Sequence, residues 1–378
     1  MMNRITRLVD PIHRIRRLFT RRLKKPNGVL LTAVGGLGDT ILFSLVAERF
    51  AALADPDEPI TVMLRSDGAE TAFCLRDTFN IMTVYFSQFT SSPIYRWKTL
   101  EILFQANYRL VVSTDFLRHP FLDEAMIEAC DASDVIAMLA RSWRKYDKHL
   151  NANKKIFTRL YDSGNARMDK VIRWNNFASW ALGKSKPPPK IILSKMFAPL
   201  TEEKAVHEVI IQSFSAAKEK QVTSACYKAL INALPPDTSI RITGLPSDLD
   251  ANPGIKELIE LDGVTFDSSS FAKIAPRLET ADLVVSVDTA LMHLAVGLGA
   301  PTLCLASAAY VGEIVPYDKR ICPDNVSFLF EDMPCAGCLG DCIHPLVSGR
   351  YACIDRITPE RVVKKALDIF HSSSKLKR

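Results

Sequence analysis

Residues 281–299, Ala-Asp-Leu-Val-Val-Ser-Val-Asp-Thr-Ala-Leu-Met-His-Leu-Ala-Val-Gly-Leu-Gly, constrain the fold more than any other stretch of the chain. The apolar run from Leu283 to Val287 reads as a strand buried on both faces, as in a parallel sheet. It stops at Asp288-Thr289 and a helical pattern follows at once, with Leu291, Leu294, Ala295 and Leu298 on one face and Gly299 as a C-cap. Such a junction sets polar side chains and unpaired backbone N–H groups at the carboxyl edge of a sheet. Open α/β sheets bind ligands there, and a helix start there favours phosphate. Asp and Thr are also ordinary N-cap residues, so Asp288 and Thr289 read as well as caps as they do as ligand contacts.

The rest of the chain repeats the strand-then-helix order. In the first half, strands are expected at 29–34, 60–64, 110–113 and 135–138, with helices at 41–53 and 168–182. Lys186-Pro187-Pro188-Pro189-Lys190 can neither continue a helix nor join a central strand, and reads as a linker. In the second half, strands are expected at 209–214, 239–243, 283–287 and 302–305, with helices at 224–234, 253–259 and 271–279. A last helix starts at Thr358-Pro359-Glu360. Alternating strands and helices argue for parallel sheets, and 378 residues fit about two such domains. The expected division is an arm over 1–27, a first domain over 28–185, a linker over 186–204 and a second domain over 205–378.

Charge is unevenly placed. Residues 1–27 hold nine Lys or Arg and one acid, Asp10, a net +8, whereas the remainder has 39 bases against 41 acids. The main body is therefore no basic nucleic-acid binder, and no nucleic acid partner is expected. In the arm, Ile5, Leu8, Ile12, Ile15, Phe19 and Leu23 recur every three or four residues with Arg between them, although Pro11 can split the pattern. This is how a basic amphipathic helix on an anionic membrane surface looks; an oligomer contact or a solvated tail gives the same pattern. No apolar run is long enough to span a bilayer.

A second polar junction is Gly35-Gly36-Leu37-Gly38-Asp39-Thr40, between the first strand and its helix. Ile41 stands where a dinucleotide fingerprint needs its last Gly, and no Gly-Lys-Ser/Thr follows. What remains is a backbone of little bulk with one carboxylate, Asp39, at a helix start. That carboxylate is either a cap or an acceptor for a substrate hydroxyl proton.

Together with the segment Ser215-Ala216-Ala217-Lys218-Glu219-Lys220-Gln221, these junctions resemble the heptosyltransferase-like glycosyltransferases, glycosyltransferase family 9. The resemblance rests on Gly36-x-Gly38-Asp39, the Lys220 loop, Asp288-Thr289-Ala290-Leu291-Met292-His293-Leu294 and the Ile357-Thr358-Pro359-Glu360 helix start. It implies a GT-B fold, two Rossmann-like doubly wound domains facing a central cleft. It also implies metal-independent, inverting transfer of a sugar, often heptose from ADP-heptose, to a lipopolysaccharide core or other surface glycan or glycolipid. By position, Asp39 resembles the catalytic carboxylate, with Gly36, Gly38 and Thr40 in its loop. Lys220, or its neighbour Lys218, resembles the donor phosphate contact. Asp288, Thr289, Ala290, Leu291 and His293 resemble the donor-binding segment, His293 reading equally as a core histidine. The chain departs from the family at Ala306-Ser307-Ala308-Ala309-Tyr310, where a Gly-Pro-Thr-Asp-type loop is usual. Alternatives of the same fold are a protein O-heptosyltransferase acting on Ser or Thr, a sugar-nucleotide epimerase and a catalytically silent scaffold.

Cys335, Cys338, Cys342 and Cys353 form a separate cluster spaced x2, x3 and x10. Four thiols so grouped can enclose one tetrahedral zinc or iron ion, and His344 can replace one of them. Reduced or partly disulfide-linked thiols are the other reading. No cofactor is expected for catalysis. Nucleotide-sugar chemistry implies a cytoplasmic location, with peripheral attachment to the inner leaflet through residues 1–27.

Overall fold

The computed structural model describes residues 4–22, 25–193 and 207–376. They fall into two compact units, Met1–Ala166 with Val171–Pro188, and Arg167–Lys170 with Pro189–Arg378. Residues 194–204 of the expected linker, and Leu23 of the arm, lie outside the described residues.

The first unit is built on six parallel strands: β1 (Val29–Ala33), β2 (Ile60–Arg65), β3 (Asn80–Val84), β4 (Leu110–Ser113), β5 (Asp134–Met138) and β6 (Arg159–Tyr161). Their order is β3-β2-β1-β4-β5-β6. The second unit repeats the plan with β7 (His207–Gln212), β8 (Thr238–Thr243), β9 (Val264–Asp267), β10 (Leu283–Val287), β11 (Thr302–Leu305) and β12 (Val326–Leu329), ordered β12-β11-β10-β7-β8-β9. All of its neighbouring pairs are also parallel. Each sheet is doubly wound, and its strand order reverses once, between β1 and β4 and between β7 and β10. The central strands β1, β4 and β10 are buried at every position, so their continuous Val/Leu runs were readable.

The N-terminal segment is a docked helix, Arg4–Leu18, and Pro11 does not split it. Its inner face is pinned to the Pro93–Ala106 helix. The buried Arg96 guanidinium grips both Asp10 carboxylate oxygens, at 2.6 and 2.5 Å, and His13 meets Glu101 at 3.3 Å. Arg14 pairs with Glu128 at 2.7 Å. These long-range contacts offset the backbone bond that proline removes. The outer face keeps its apolar stripe in the open: Leu8, Ile12, Ile15, Leu18 and Phe19 are 55–85% exposed. Among the described residues no helix is long and apolar enough to cross a membrane.

Candidate functional site

The polar side chains picked out by the two junctions collect where each sheet's strand order reverses, at the carboxyl edge, the crevice in which open α/β sheets hold ligands. In the second unit that point lies between the loop after β7 and the loop after β10. Lys220, on the 3-10 turn Lys218–Lys220, crosses it to donate to Asp288 Oδ2 at 2.6 Å. Lys218 is exposed on the same turn, so Lys220 is the lysine brought to the junction. Both members of the pair are largely buried, with Lys220 12% and Asp288 6% exposed. The ammonium also sits 4.6 Å from the centre of the Tyr310 ring. An ammonium has three N–H bonds, and Asp288 takes one.

Thr289 is the N-cap of the Ala290–Gly297 helix in extended conformation, and its side chain makes no cap hydrogen bond. Its hydroxyl lies 3.4 Å from Ser286 Oγ instead. The first turn of this helix therefore offers backbone N–H groups that no side chain among the described residues caps, beside a lysine. Ala290 is half-buried at the helix start, whereas Leu291 is buried against the sheet. His293 is buried, bonds Tyr317 Oη through Nδ1 at 2.6 Å, and lies 4.0 Å from Asp288 Oδ1. Burial raises the Tyr317 hydroxyl well above the phenol range, so it remains a neutral O–H bonded to the histidine. His293 thus backs Asp288 from the core side. Tyr310 and Tyr317 were not legible as site residues; Tyr310 belongs to the loop where the chain departs from the family pattern.

In the first unit the reversal lies between β1 and β4. Gly36 caps the Leu37–Ala51 helix, and Asp39, at the third helical position, accepts the Gly36 N–H at 3.1 Å. The cap reading of Asp39 therefore holds locally. One such bond leaves a carboxylate with further lone pairs, so it does not exclude a base. Close packing here requires Gly35: a Cβ on it would lie 2.4 Å from Asp39 Oδ2. Thr40 is buried and turned back onto the Gly36 carbonyl at 3.3 Å, and Gly38 lies inside the helix. Across the reversal, Asp115 after β4 accepts the Val34 N–H at 3.1 Å. Arg65, at the end of β2, binds Asp67 through two N–H groups, and that pairing raises its pKa, with Asp39 and Asp115 adding to it. Arg65, Asp67 and Asp115 were missed because each is a single polar residue at a strand end.

The cysteine segment packs on the departing loop. Gly337 and Leu339 donate backbone N–H groups to Ala308 and Ala309 carbonyls at 2.8 Å, and Ala308 N–H points at Cys353 Sγ at 3.4 Å. Tyr351 N–H reaches Glu219 O at 3.0 Å, on the Lys220 turn. The Cys335 and Cys342 thiols lie within hydrogen-bonding reach, and burial, then Cys342 and Cys338, raises the Cys335 pKa. His344 Nε2 is buried with no hydrogen-bond partner among the described residues. No three His, Cys, Asp or Glu side chains among the described residues are grouped closely enough to hold an ion. The donors fit zinc or iron in kind, but they stand as a pair with neighbours and not as a closed tetrahedron.

Residues 163–336 match the family model for glycosyltransferase family 9 (heptosyltransferase). Among solved structures, the family 9 glycosyl transferase from Veillonella parvula is similar at 15% identity and a TM-score of 0.66, over 93% of this chain and 98% of that one. The E. coli heptosyltransferase WaaC with ADP-2-deoxy-2-fluoro heptose is similar at 17% identity and a TM-score of 0.61, over 91% and 99%. The iron-containing dodecameric glycosyltransferase TibC from enterotoxigenic E. coli is similar at 14% identity and a TM-score of 0.55, over 94% and 78%. These likenesses show the GT-B fold. No curated protein matches the chain.

Proposed function

From the premise that residues 163–336 form a glycosyltransferase family 9 domain and the chain is a glycosyltransferase, we propose inverting transfer of a heptose from ADP-heptose to a lipopolysaccharide-type or other surface-glycan acceptor, without a catalytic metal. The observation that carries this reading is the position of Lys220, Asp288 and the uncapped helix start at Ala290, together at the strand-order reversal of the second sheet. In this reading Asp39 takes the proton of an acceptor hydroxyl. The acceptor oxygen bonds the anomeric carbon as its bond to the diphosphate breaks, and the nucleoside diphosphate leaves with the electron pair. Attack opposite the leaving group inverts the anomeric centre. Charge grows on the departing diphosphate, where the Lys220 ammonium, Thr289 hydroxyl and helix N–H groups stabilise it. Similarity to a heptosyltransferase solved with an ADP-heptose analogue supports the donor class.

A thermal-shift panel of ADP-, GDP-, UDP- and dTDP-sugars tests the donor. A ligand that binds the folded form raises apparent stability, by about 2.7 kcal/mol at one hundred times its Kd. The ADP-sugar is expected to shift the melting temperature most; a larger shift with another base overturns the ADP assignment, and no shift with any of them overturns the donor site.

Two further parts of the reading follow from the surface. The Arg4–Leu18 helix and Phe19 after it lie on an anionic bilayer through Leu8, Ile12, Ile15 and Phe19, placing the enzyme beside a lipid-linked acceptor. Changing Ile12, Ile15 and Phe19 to Ser is expected to abolish co-sedimentation with phosphatidylglycerol vesicles at unchanged melting temperature; equal sedimentation counts against the surface. We propose that Cys335, Cys338, Cys342 and Cys353, which do not stand as a closed tetrahedron in this arrangement, draw together around one structural zinc or iron and so brace the loop that carries Tyr310. Similarity to an iron-containing glycosyltransferase supports the class of ion. Elemental analysis is expected to find about one ion per chain, lost when the four cysteines become Ser; a metal-free wild-type protein contradicts it.

A further inference from the structure

The Arg65–Asp67 pair has no part in the transfer chemistry above, yet it is packed onto the loop that carries Asp39. A Cβ on Gly36 would lie 3.2 Å from Arg65 Nη2, so the absence of a side chain there leaves room for the guanidinium. Gly68 comes equally close: a Cβ on it would meet Thr40 Oγ1 at 2.6 Å and the Gly35 carbonyl at 3.1 Å. Thr71 donates its hydroxyl to the Leu37 carbonyl at 3.1 Å. Asp67 caps the turn Gly68–Cys74 by accepting the Gly68 N–H at 3.0 Å. The end of β2 and the turn after it are thereby fixed against the Gly35–Thr40 loop.

This seat brings charge to Asp39 across a single residue. The Gly36 N–H is bonded to Asp39 Oδ2, and the Arg65 guanidinium lies against the same glycine. The pair has a direction. From the Gly36 Cβ position Arg65 Nη2 stands at 3.2 Å and Asp67 Oδ2 at 3.8 Å, so the cationic end is the nearer. Arg65 Nε donates to Asp67 Oδ1 at 2.5 Å and Nη2 donates to Oδ2, which holds the guanidinium plane. Asp115, in the loop after β4, adds a further carboxylate. Asp39 and Asp115 both help to hold the Arg65 pKa up, after Asp67, so these charges share one field.

We propose that Arg65 is a positioning residue for Asp39: its guanidinium, set over Gly36, keeps the Asp39 carboxylate ionised, and Asp67 moderates that charge so the carboxylate stays basic. The use of Asp39 as proton acceptor rests on the transfer reading above; the coupling of these charges does not. A nearby cation favours the ionised form of a carboxylate and a nearby anion the protonated form. Arg65→Gln removes the cation and leaves Asp67 in place, so Asp39 titrates at higher pH. Asp67→Asn leaves the cation unbalanced, so Asp39 titrates at lower pH. A purely structural role gives no reason for shifts of opposite sign. Asparagine at 67 also keeps an oxygen for the Gly68 N–H.

NMR titration of the full chain, isotopically labelled at its aspartate carboxyl carbons, tests this, the Asp39 resonance being the one lost in Asp39→Asn. Arg65 and Asp67 are 36% and 44% exposed, and solvent screens them. The Asp39 midpoint is therefore expected to rise by about 0.5–1 pH unit in Arg65→Gln and to fall by about as much in Asp67→Asn. It is expected to return near the wild-type value in the double variant and in Arg65→Lys, which keeps a cation. The acid limb of kcat, read as nucleoside diphosphate release from ADP-heptose with a lipopolysaccharide-core acceptor, is expected to move in step, because only the ionised carboxylate accepts a proton. Shifts of the same sign in the two single variants, or no shift in either, overturn the proposal. Should the midpoints move as expected while Asp39→Asn transfers at the wild-type rate, the base assignment falls and the coupling stands.

Discussion

Asp39→Asn is expected to lose about 10³-fold in kcat for transfer to a lipopolysaccharide-core acceptor, measured as nucleoside diphosphate release, and to bind ADP as tightly as wild type. General bases contribute about 10²–10⁴-fold, and an amide cannot accept the acceptor proton. Asparagine separates this role from the structural one, because its side-chain oxygen still accepts the Gly36 N–H that Asp39 caps at 3.1 Å. Asp39→Ala removes both, and is expected to cost a further ~1 kcal/mol of stability from the lost cap. If Asn and Ala lose activity only in proportion to lost stability, Asp39 is a cap and the base lies elsewhere.

The second large effect is expected at Lys220. Lys220→Ala should weaken ADP affinity about 10- to 100-fold, the loss of a hydrogen bond to a charged group. It should also lower stability by about 3 kcal/mol, since Asp288, 6% exposed, is left without its ion-pair partner. Adding Asp288→Asn removes that stranded charge and is expected to restore most of the melting temperature without restoring affinity. A double variant that binds ADP normally contradicts the phosphate role. Lys218→Ala, on the exposed side of the same turn, is expected to be near neutral in both measurements.

The parts of the fold that were readable are those where one physical requirement dominates. β1, β4 and β10 are buried at every position, and a strand buried on both faces writes itself as an unbroken apolar run. The four strands that went unread, β3, β6, β9 and β12, are the outer strands of the two sheets. β12 is only half-buried throughout, and β3 begins with two exposed residues, so neither carries such a run. The Leu37–Ala51 helix starts four residues ahead of the expected 41, because Gly38 was read as loop although it falls in the first turn.

The site divides along the same line. Asp288, Thr289 and Lys220 were legible because a strand that stops at polar residues before a helix is a local signal. Tyr310, Tyr317 and the Arg65–Asp67 pair were not, since each reaches the site from a separate loop or strand end through tertiary contact alone. Pro11 misled for a related reason: the penalty of a helical proline is local, whereas the Asp10–Arg96 clasp that outweighs it spans 86 residues.

The account stands most directly on a calorimetric titration of an ADP-sugar into three proteins: wild type, Asp39→Asn and Lys220→Ala. The expected result is one site per chain with equal affinity in the first two and a loss of at least ten-fold in the third. Equal binding by wild type and Lys220→Ala, or weakened binding by Asp39→Asn alone, contradicts it.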